Sequence, residues 1–219
     1  MRKKKKHGKL ERGTLTVRTG TMFSGKTEWS IHAVTQLIEH SGKVVLVFKP
    51  SIDRRSSAGF IESYSGRKLP AIEINPKHPE QILRNVIAHS KLTRVDAVLV
   101  SEGQFFPPRL PPQIGLVMVV DQLLDLGIDV LIEGLDLDFT GRPFGSMPHL
   151  MAMVDSSSGI IKMHSYCTKC GRPARLPQRL IKGRPANFNS KLIVVGGREK
   201  YEPRCYRCHQ VPGKPKISV

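Results

Sequence analysis

Cysteine is scarce in this chain of 219 residues: there are four, and none precedes position 167. So late and sparse a supply excludes a disulfide scaffold of the secreted kind and points to a reducing compartment. Long apolar runs are missing as well. No stretch approaches the roughly 20 residues of a membrane span. No apolar segment follows the basic start as a secretory leader requires, so a cytoplasmic protein is expected. No internal repeat is visible. Acids are in short supply, with 18 Asp and Glu against 35 Lys and Arg, a formal net charge of +17. That excess is uneven. Residues 1–12 carry +6 and residues 162–219 carry +12, which leaves 13–161 at −1. A neutral centre without a basic stripe interleaved with aromatics argues against a zinc-ribbon ATPase acting on nucleic acid, so nucleic acid is not an expected partner. The hydrophobic fraction of 39% suffices for one sizeable core, and the length suits one domain with a small appendage.

What is present begins with Gly20-Thr21-Met22-Phe23-Ser24-Gly25-Lys26-Thr27, which fits the phosphate-binding pattern G-x-x-x-x-G-K-[ST] residue for residue. Thr14–Val17 before it reads as a strand and Glu28–His40 after it as a helix, the context the motif needs. Gly20 and Gly25 let backbone N–H groups turn toward phosphate oxygens at a helix N-terminus. Lys26 can reach the β- and γ-phosphates, and the Thr27 hydroxyl can ligate Mg²⁺. Further strands are expected at Lys43–Phe48, Ala71–Ile74, Val95–Val100 and Asp129–Glu133, with helices at Glu80–Ser90 and Ile114–Leu126. Ser51–Pro70 reads as a mobile loop. Alternation of strands and helices predicts an α/β fold with a parallel sheet. The strand at Val95 runs into Ser101-Glu102-Gly103-Gln104-Phe105-Phe106; an acid at a strand tip is the second half of a phosphate-transfer site. Four prolines between residues 107 and 112 then make a stiff connection.

Composition shifts after about residue 160. Cys167-Thr168-Lys169-Cys170 and Cys205-Tyr206-Arg207-Cys208 are two C-x-x-C turns with 34 residues between them. Two such turns present the four thiolates that hold a tetrahedral structural Zn²⁺. The long gap predicts a looped-out segment between the knuckles, and His164 and His209 read as bystanders. The organisation expected is therefore a basic disordered tail at 1–12, an ATP-binding α/β domain at 13–160, a zinc-binding unit at 161–212 and a flexible end at 213–219.

These motifs, taken together, resemble the zinc-containing thymidine kinases of the cytosolic and bacterial type. Besides the phosphate loop, the matching residues are Phe48-Lys49-Pro50 with Asp53 and Arg55, Glu102 to Phe106, Gly134-Leu135-Asp136, Phe139, Pro143-Phe144-Gly145, Gln178-Arg179-Leu180, Gly197 and Tyr201 to Cys205. The match runs from about Gly13 to Pro212. The resemblance implies transfer of the γ-phosphoryl group of ATP to the 5′-hydroxyl of thymidine, forming dTMP in deoxynucleoside salvage. Glu102 corresponds to the general base. Gly20 to Thr27, Arg55, Ser101 and Gln104 correspond to the ATP side, and Met22, Phe105, Leu135, Phe139 and Tyr201 to the nucleoside side. Leu192, Ile193, Val194, Val195 and Gly196 correspond to a lasso that covers the base with backbone groups. The cofactors implied are ATP, Mg²⁺ and structural Zn²⁺, and the assembly implied is a homotetramer or dimer. Two departures stand out. Ser101 occupies the place of a usual Asp, which implies a weaker Mg²⁺ site unless Asp136 or Asp138 compensates, and opens the alternative of a catalytically weakened nucleoside- and ATP-binding relative. Leu176-Pro177 stands where a Thr near the thymine is usual, which bears on base selectivity.

Overall fold

The computed structural model describes residues 11–108 and 115–215. Most of the basic segment at the start, Pro111, Pro112, the first residue of the helix expected at 114 and the last four residues lie outside them.

Thirteen strands and four α-helices follow one another among the described residues. They are β1 (Leu15–Gly20), α1 (Lys26–Glu39), β2 (Val45–Pro50), β3 (Phe60–Glu62), β4 (Lys68–Pro70), β5 (Ile72–Ile74), α2 (Glu80–Ser90), β6 (Ala97–Val100), α3 (Leu116–Asp125), β7 (Asp129–Gly134), α4 (Met147–Ala152) and β8 (Ile160–Met163). The C-terminal strands are β9 (Ser165–Tyr166), β10 (Pro173–Ala174), β11 (Leu176–Ile181), β12 (Arg184–Pro185) and β13 (Tyr201–Arg204).

Six strands make one parallel sheet in the order β5-β2-β6-β7-β1-β8. Its inner strands are apolar on both faces because both faces are covered. Val98 and Val100 of β6 and Val130 and Ile132 of β7 join a core with α2, α3 and α4. Ala97, Leu99 and Leu131 join a second core with Ile31 and Val34 of α1. The two-residue alternation within a near-continuous apolar run thus divides each strand between two layers of helix.

Three features depart from the sequence reading. Ser51–Pro70 is not loop throughout: β3 and β4 pair as an antiparallel hairpin, and its Ile61 enters the second core. The hairpin is also tied to α1, since Ser65 and Arg67 donate to the Glu28 carboxylate at 2.7 and 3.0 Å. The main sheet extends past residue 160, because β8 pairs with β1 through Met163. Arg12, assigned to the tail by its charge, pairs with Asp121 and Asp125 on α3.

The C-terminal unit holds the antiparallel sheet β12-β11-β13 and the two-stranded β9-β10 ribbon. The first C-x-x-C turn joins β9 to β10, and the second follows β13. No described helix is long and apolar enough to cross a membrane.

Candidate active site and metal centre

The phosphate loop turns between β1 and α1. Gly20 takes φ +141° and an added Cβ would lie 2.0 Å from the Met163 carbonyl oxygen of β8, so no side chain fits there. Gly25 takes φ +84° as the residue that caps α1, again a conformation glycine adopts without strain. The loop therefore delivers Lys26 and Thr27 at the positive end of α1, where backbone N–H groups lack helical partners. Lys26 is buried, and its Nζ donates to the Thr21 carbonyl at 2.9 Å. Burial lowers its pKa, and the nearby charges of Glu133 and then Glu102 oppose that shift.

Facing the loop is the tip of β6. Glu102 stands there in the left-handed region, φ 54°, strained for a side chain of its size. Arg55 donates to one carboxylate oxygen and Gln104 to the other. Arg55 also grips Asp53, with Nε to Oδ1 at 2.7 Å and Nη2 to Oδ2 at 2.9 Å. Although burial works against its charge, the two carboxylates outweigh it and raise the Arg55 pKa well above its ordinary value. Gln104, only 2% exposed, accepts the Leu135 N–H at 2.9 Å with its other end. It thus stitches the tip of β6 to the end of β7. Gly134 makes room for it: a Cβ at 134 would lie 2.4 Å from Gln104 Oε1.

Ser101 turns away from solvent and donates its hydroxyl to Glu133 Oε1 at 2.6 Å. Glu133 is fully buried near the end of β7, and burial, then the Glu102 charge, pushes its carboxyl up to about 7. The aspartates expected to compensate for Ser101 are engaged elsewhere. Asp136 binds Arg175 at 3.0 Å and Lys162 at 3.5 Å, and Asp138 Oδ1 accepts from Thr140 and Arg142 in its own turn.

These groups open on a cavity of about 550 Å³. The loop from Met22 to Thr27, Arg55, Ser101, Glu102 and Gln104 line one part of it. Phe105, Leu135, Phe139, Phe144, Pro177, Tyr201 and the segment Leu192 to Gly196 line the rest. Met22 packs with Phe139 and Tyr201 at the junction. Its size falls in the range of small-molecule sites. Of the residues expected as general base, on the ATP side and on the nucleoside side, Gly20 and Thr21 are not in the lining and the others border this single space; Asp136, expected near the metal, does not.

The covering segment is tied down at several points. Arg179 donates to the Lys191 carbonyl, Tyr201 Oη to the Val194 carbonyl at 2.7 Å, and Lys200 Nζ to the Val195 carbonyl at 3.0 Å. Two carbonyls expected to face a base are thus bonded within the protein. The guanidinium of Arg198 lies 4.8 Å from the ring of Phe23 in the phosphate loop and 4.5 Å from that of Tyr64 in the turn of the hairpin. That stack bridges loop, hairpin and covering segment.

The four cysteine sulfurs lie within 4.8 Å of one another, with Cys170 and Cys205 at 3.6 Å. A tetrahedron with zinc–sulfur bonds of about 2.3 Å has edges of about 3.8 Å, so Cys167, Cys170, Cys205 and Cys208 fit a structural zinc. Burial disfavours the Cys167 thiolate, but N–H groups of Cys205, Lys169 and Cys170 prevail and draw it down to about 6. His209 contacts the Phe139 carbonyl at 3.0 Å and His164 packs edge-on to Tyr166; neither joins the sulfur cluster. Oxygen donors in the lining on the phosphate side suit a hard cation such as Mg²⁺: the Thr27 and Ser101 hydroxyls and the Glu102 carboxylate.

Glu133, Tyr64 and Arg198 carry structure here that sequence reading passed over. Glu133 bears the same signal as Glu102, an acid ending an apolar strand. Arg198 had no signal, because its partners are more than 130 residues away in sequence. Against known families, the family model described as thymidine kinase matches residues 13–209.

Proposed function

The chain belongs to the thymidine kinase family, and from that premise we propose that it transfers the γ-phosphoryl group of ATP to the 5′-hydroxyl of thymidine. The carrying observation is that the phosphate loop and the buried Glu102 carboxylate border the same cavity as the apolar lining of Met22, Phe105, Phe139 and Tyr201. One end suits a polyphosphate and the other a flat base, with an acid between them.

In this reading Lys26 leaves the Thr21 carbonyl to meet the β- and γ-phosphates. Glu102 accepts the proton of the attacking hydroxyl, and Gln104 holds the carboxylate in place for that transfer. Arg55 swings from Asp53 and Glu102 toward the migrating phosphoryl group, which frees Glu102 to act as a base. The loop residues Gly20 to Thr27 bind ATP, with Thr27 and Ser101 on the Mg²⁺ side; the ion, when bound, screens phosphate charge. Leu192 to Gly196 cover the nucleoside, and zinc at the four cysteines fastens both ends of that cover. Pro177, in the lining, offers the base neither a hydroxyl nor an N–H, so selectivity rests on shape and on backbone groups. Thiolate ligands suit a reducing cytoplasm, and a homotetramer or dimer is the assembly that accompanies this reading. The alternative of a catalytically weakened relative, which Ser101 suggested, gains no support from the family match.

The test is formation of dTMP from thymidine and Mg²⁺–ATP by the wild type and by Glu102→Gln. Loss of about 10²–10⁴-fold in the rate constant is expected for the variant. Full activity in Glu102→Gln would remove Glu102 from the chemistry, and a wild type inactive across a wide Mg²⁺ range would overturn the kinase assignment.

A further inference from the structure

No described acid is more deeply buried than Glu133, at 0% exposure. It sits in the middle of the parallel sheet, on the strand between β6 and β1. One carboxylate oxygen receives the Ser101 hydroxyl at 2.6 Å; the other has no partner among the described residues. Its neighbour in register on β1, Arg18, gives it no cation. That guanidinium lies over Trp29, 4.4 Å from the ring centroid, and donates to the carbonyls of Val17 and Gly159. An unpaired carboxylate in such a place is expensive unless positive charge arrives nearby. The positive charge that acts on Glu133 most is Lys26, and the Glu102 charge opposes it.

The direction of the hydrogen bond matters. Because Ser101 spends its only proton on Glu133, its oxygen is left as an acceptor, and Ser101 lines the cavity beside the phosphate loop. We propose that Glu133 is a positioning residue for the metal–nucleotide complex: through the Ser101 hydroxyl it presents an electron-rich oxygen to a divalent cation at the phosphate loop, and its charge balances that cation and Lys26. The pair Ser101–Glu133 then does from two strands what one carboxylate at the tip of β6 would do alone. This rests on the nucleotide-kinase reading of the site.

The test uses Mn²⁺ as an electron-spin-resonance probe with ADP, on the full chain, so turnover is not required. Glu133→Gln is expected to weaken Mn²⁺ affinity in the ADP complex by about tenfold or more, the usual scale for outer partners of metal ligands. Affinity for metal-free ADP, measured with no divalent cation added and the zinc left in place, is expected to hold or to rise, since a negative charge behind the phosphate site has gone. Ser101→Ala should weaken Mn²⁺ in the same way, and the double variant Ser101→Asp/Glu133→Gln should regain it. A Glu133→Gln protein that holds Mn²⁺ within about twofold of wild type overturns the proposal. So does a parallel fall of both affinities together with the melting temperature, because that is what a merely structural pair would produce. Wild-type protein that binds no Mn²⁺–ADP overturns the kinase reading first, whereas binding that is indifferent to Glu133 overturns this proposal alone.

Discussion

Replacing Glu133 by Gln should make the ligand-free protein more stable at neutral pH. The carboxyl is held at about 7 against an ordinary 4.5, with burial as the main cause. The folded state therefore keeps this proton at pH values where the unfolded chain has lost it. A raised carboxyl of this kind favours folding fully below about pH 4.5, and that contribution disappears as pH rises through about 7. At about 1.4 kcal/mol for each tenfold, complete ionisation costs the wild type on the order of 3 kcal/mol relative to a neutral side chain. Gln cannot ionise, and its amide can still accept the Ser101 hydroxyl. The donors of that amide need acceptors, so a net gain of about 1–3 kcal/mol is expected at pH 8. The assay is urea unfolding of wild type and variant, zinc present and nucleotide absent, at several pH values from 5 to 8.5. The difference between the two proteins isolates this group from other titrating carboxylates such as Asp53 and Asp129, whose pKa values are lowered and whose contributions fall away toward acid. The variant should gain on the wild type as pH rises toward about 7 and the difference should level off above that. A difference independent of pH would refute the buried, ionising Glu133 described here. With Mn²⁺ and ADP added the ordering should reverse, because the ligand then repays the buried charge.

Further substitutions probe the rest of the site. Gly134→Ala should drive Gln104 off the Leu135 N–H, loosening Glu102; turnover should fall by about 10²-fold with little change in ATP affinity, and steady-state kinetics would separate the two. Gly20→Ala places a methyl against the Met163 carbonyl in a conformation glycine alone tolerates, so a loss of at least about 1–3 kcal/mol in urea unfolding is expected, with weakened ATP binding. Removing zinc with a chelator should unfasten Cys167 and Cys170 from Cys205 and Cys208, raising the KM for thymidine far more than that for ATP, whose loop belongs to the other sheet. Arg198→Ala removes the stack on Phe23 and Tyr64, worth about 0.5–2 kcal/mol, and should speed hydrogen exchange in the 192–200 segment without altering the zinc site.

Much was legible without a structure because the signals were local. The phosphate loop depends on two glycines, a lysine and a threonine within eight residues, and its surrounding strand and helix are short-range patterns. The inner strands are apolar runs because a parallel sheet covered on both faces demands it. The two C-x-x-C turns each carry their own spacing, so the zinc cluster was readable although its halves are far apart. What was not legible depends on neighbours that only folding supplies. The β3–β4 hairpin has strands of only three residues with Ile61 alone buried, too short a pattern to reveal a strand. Asp136 and Asp138 were the acids expected to compensate for Ser101, yet they are consumed by Arg175, Lys162 and a local turn. The sequence by itself determined the class of fold, the turn of the phosphate loop and the two cysteine pairs, because each is written in adjacent residues. Only the tertiary structure decided that Glu133 stands behind Ser101, that Arg55 is shared between Asp53 and Glu102, and that Arg198 meets Phe23 of the phosphate loop. Those pairings are set by the order in which strands join the sheet, and β6, β7 and β1 meet there from positions tens of residues apart.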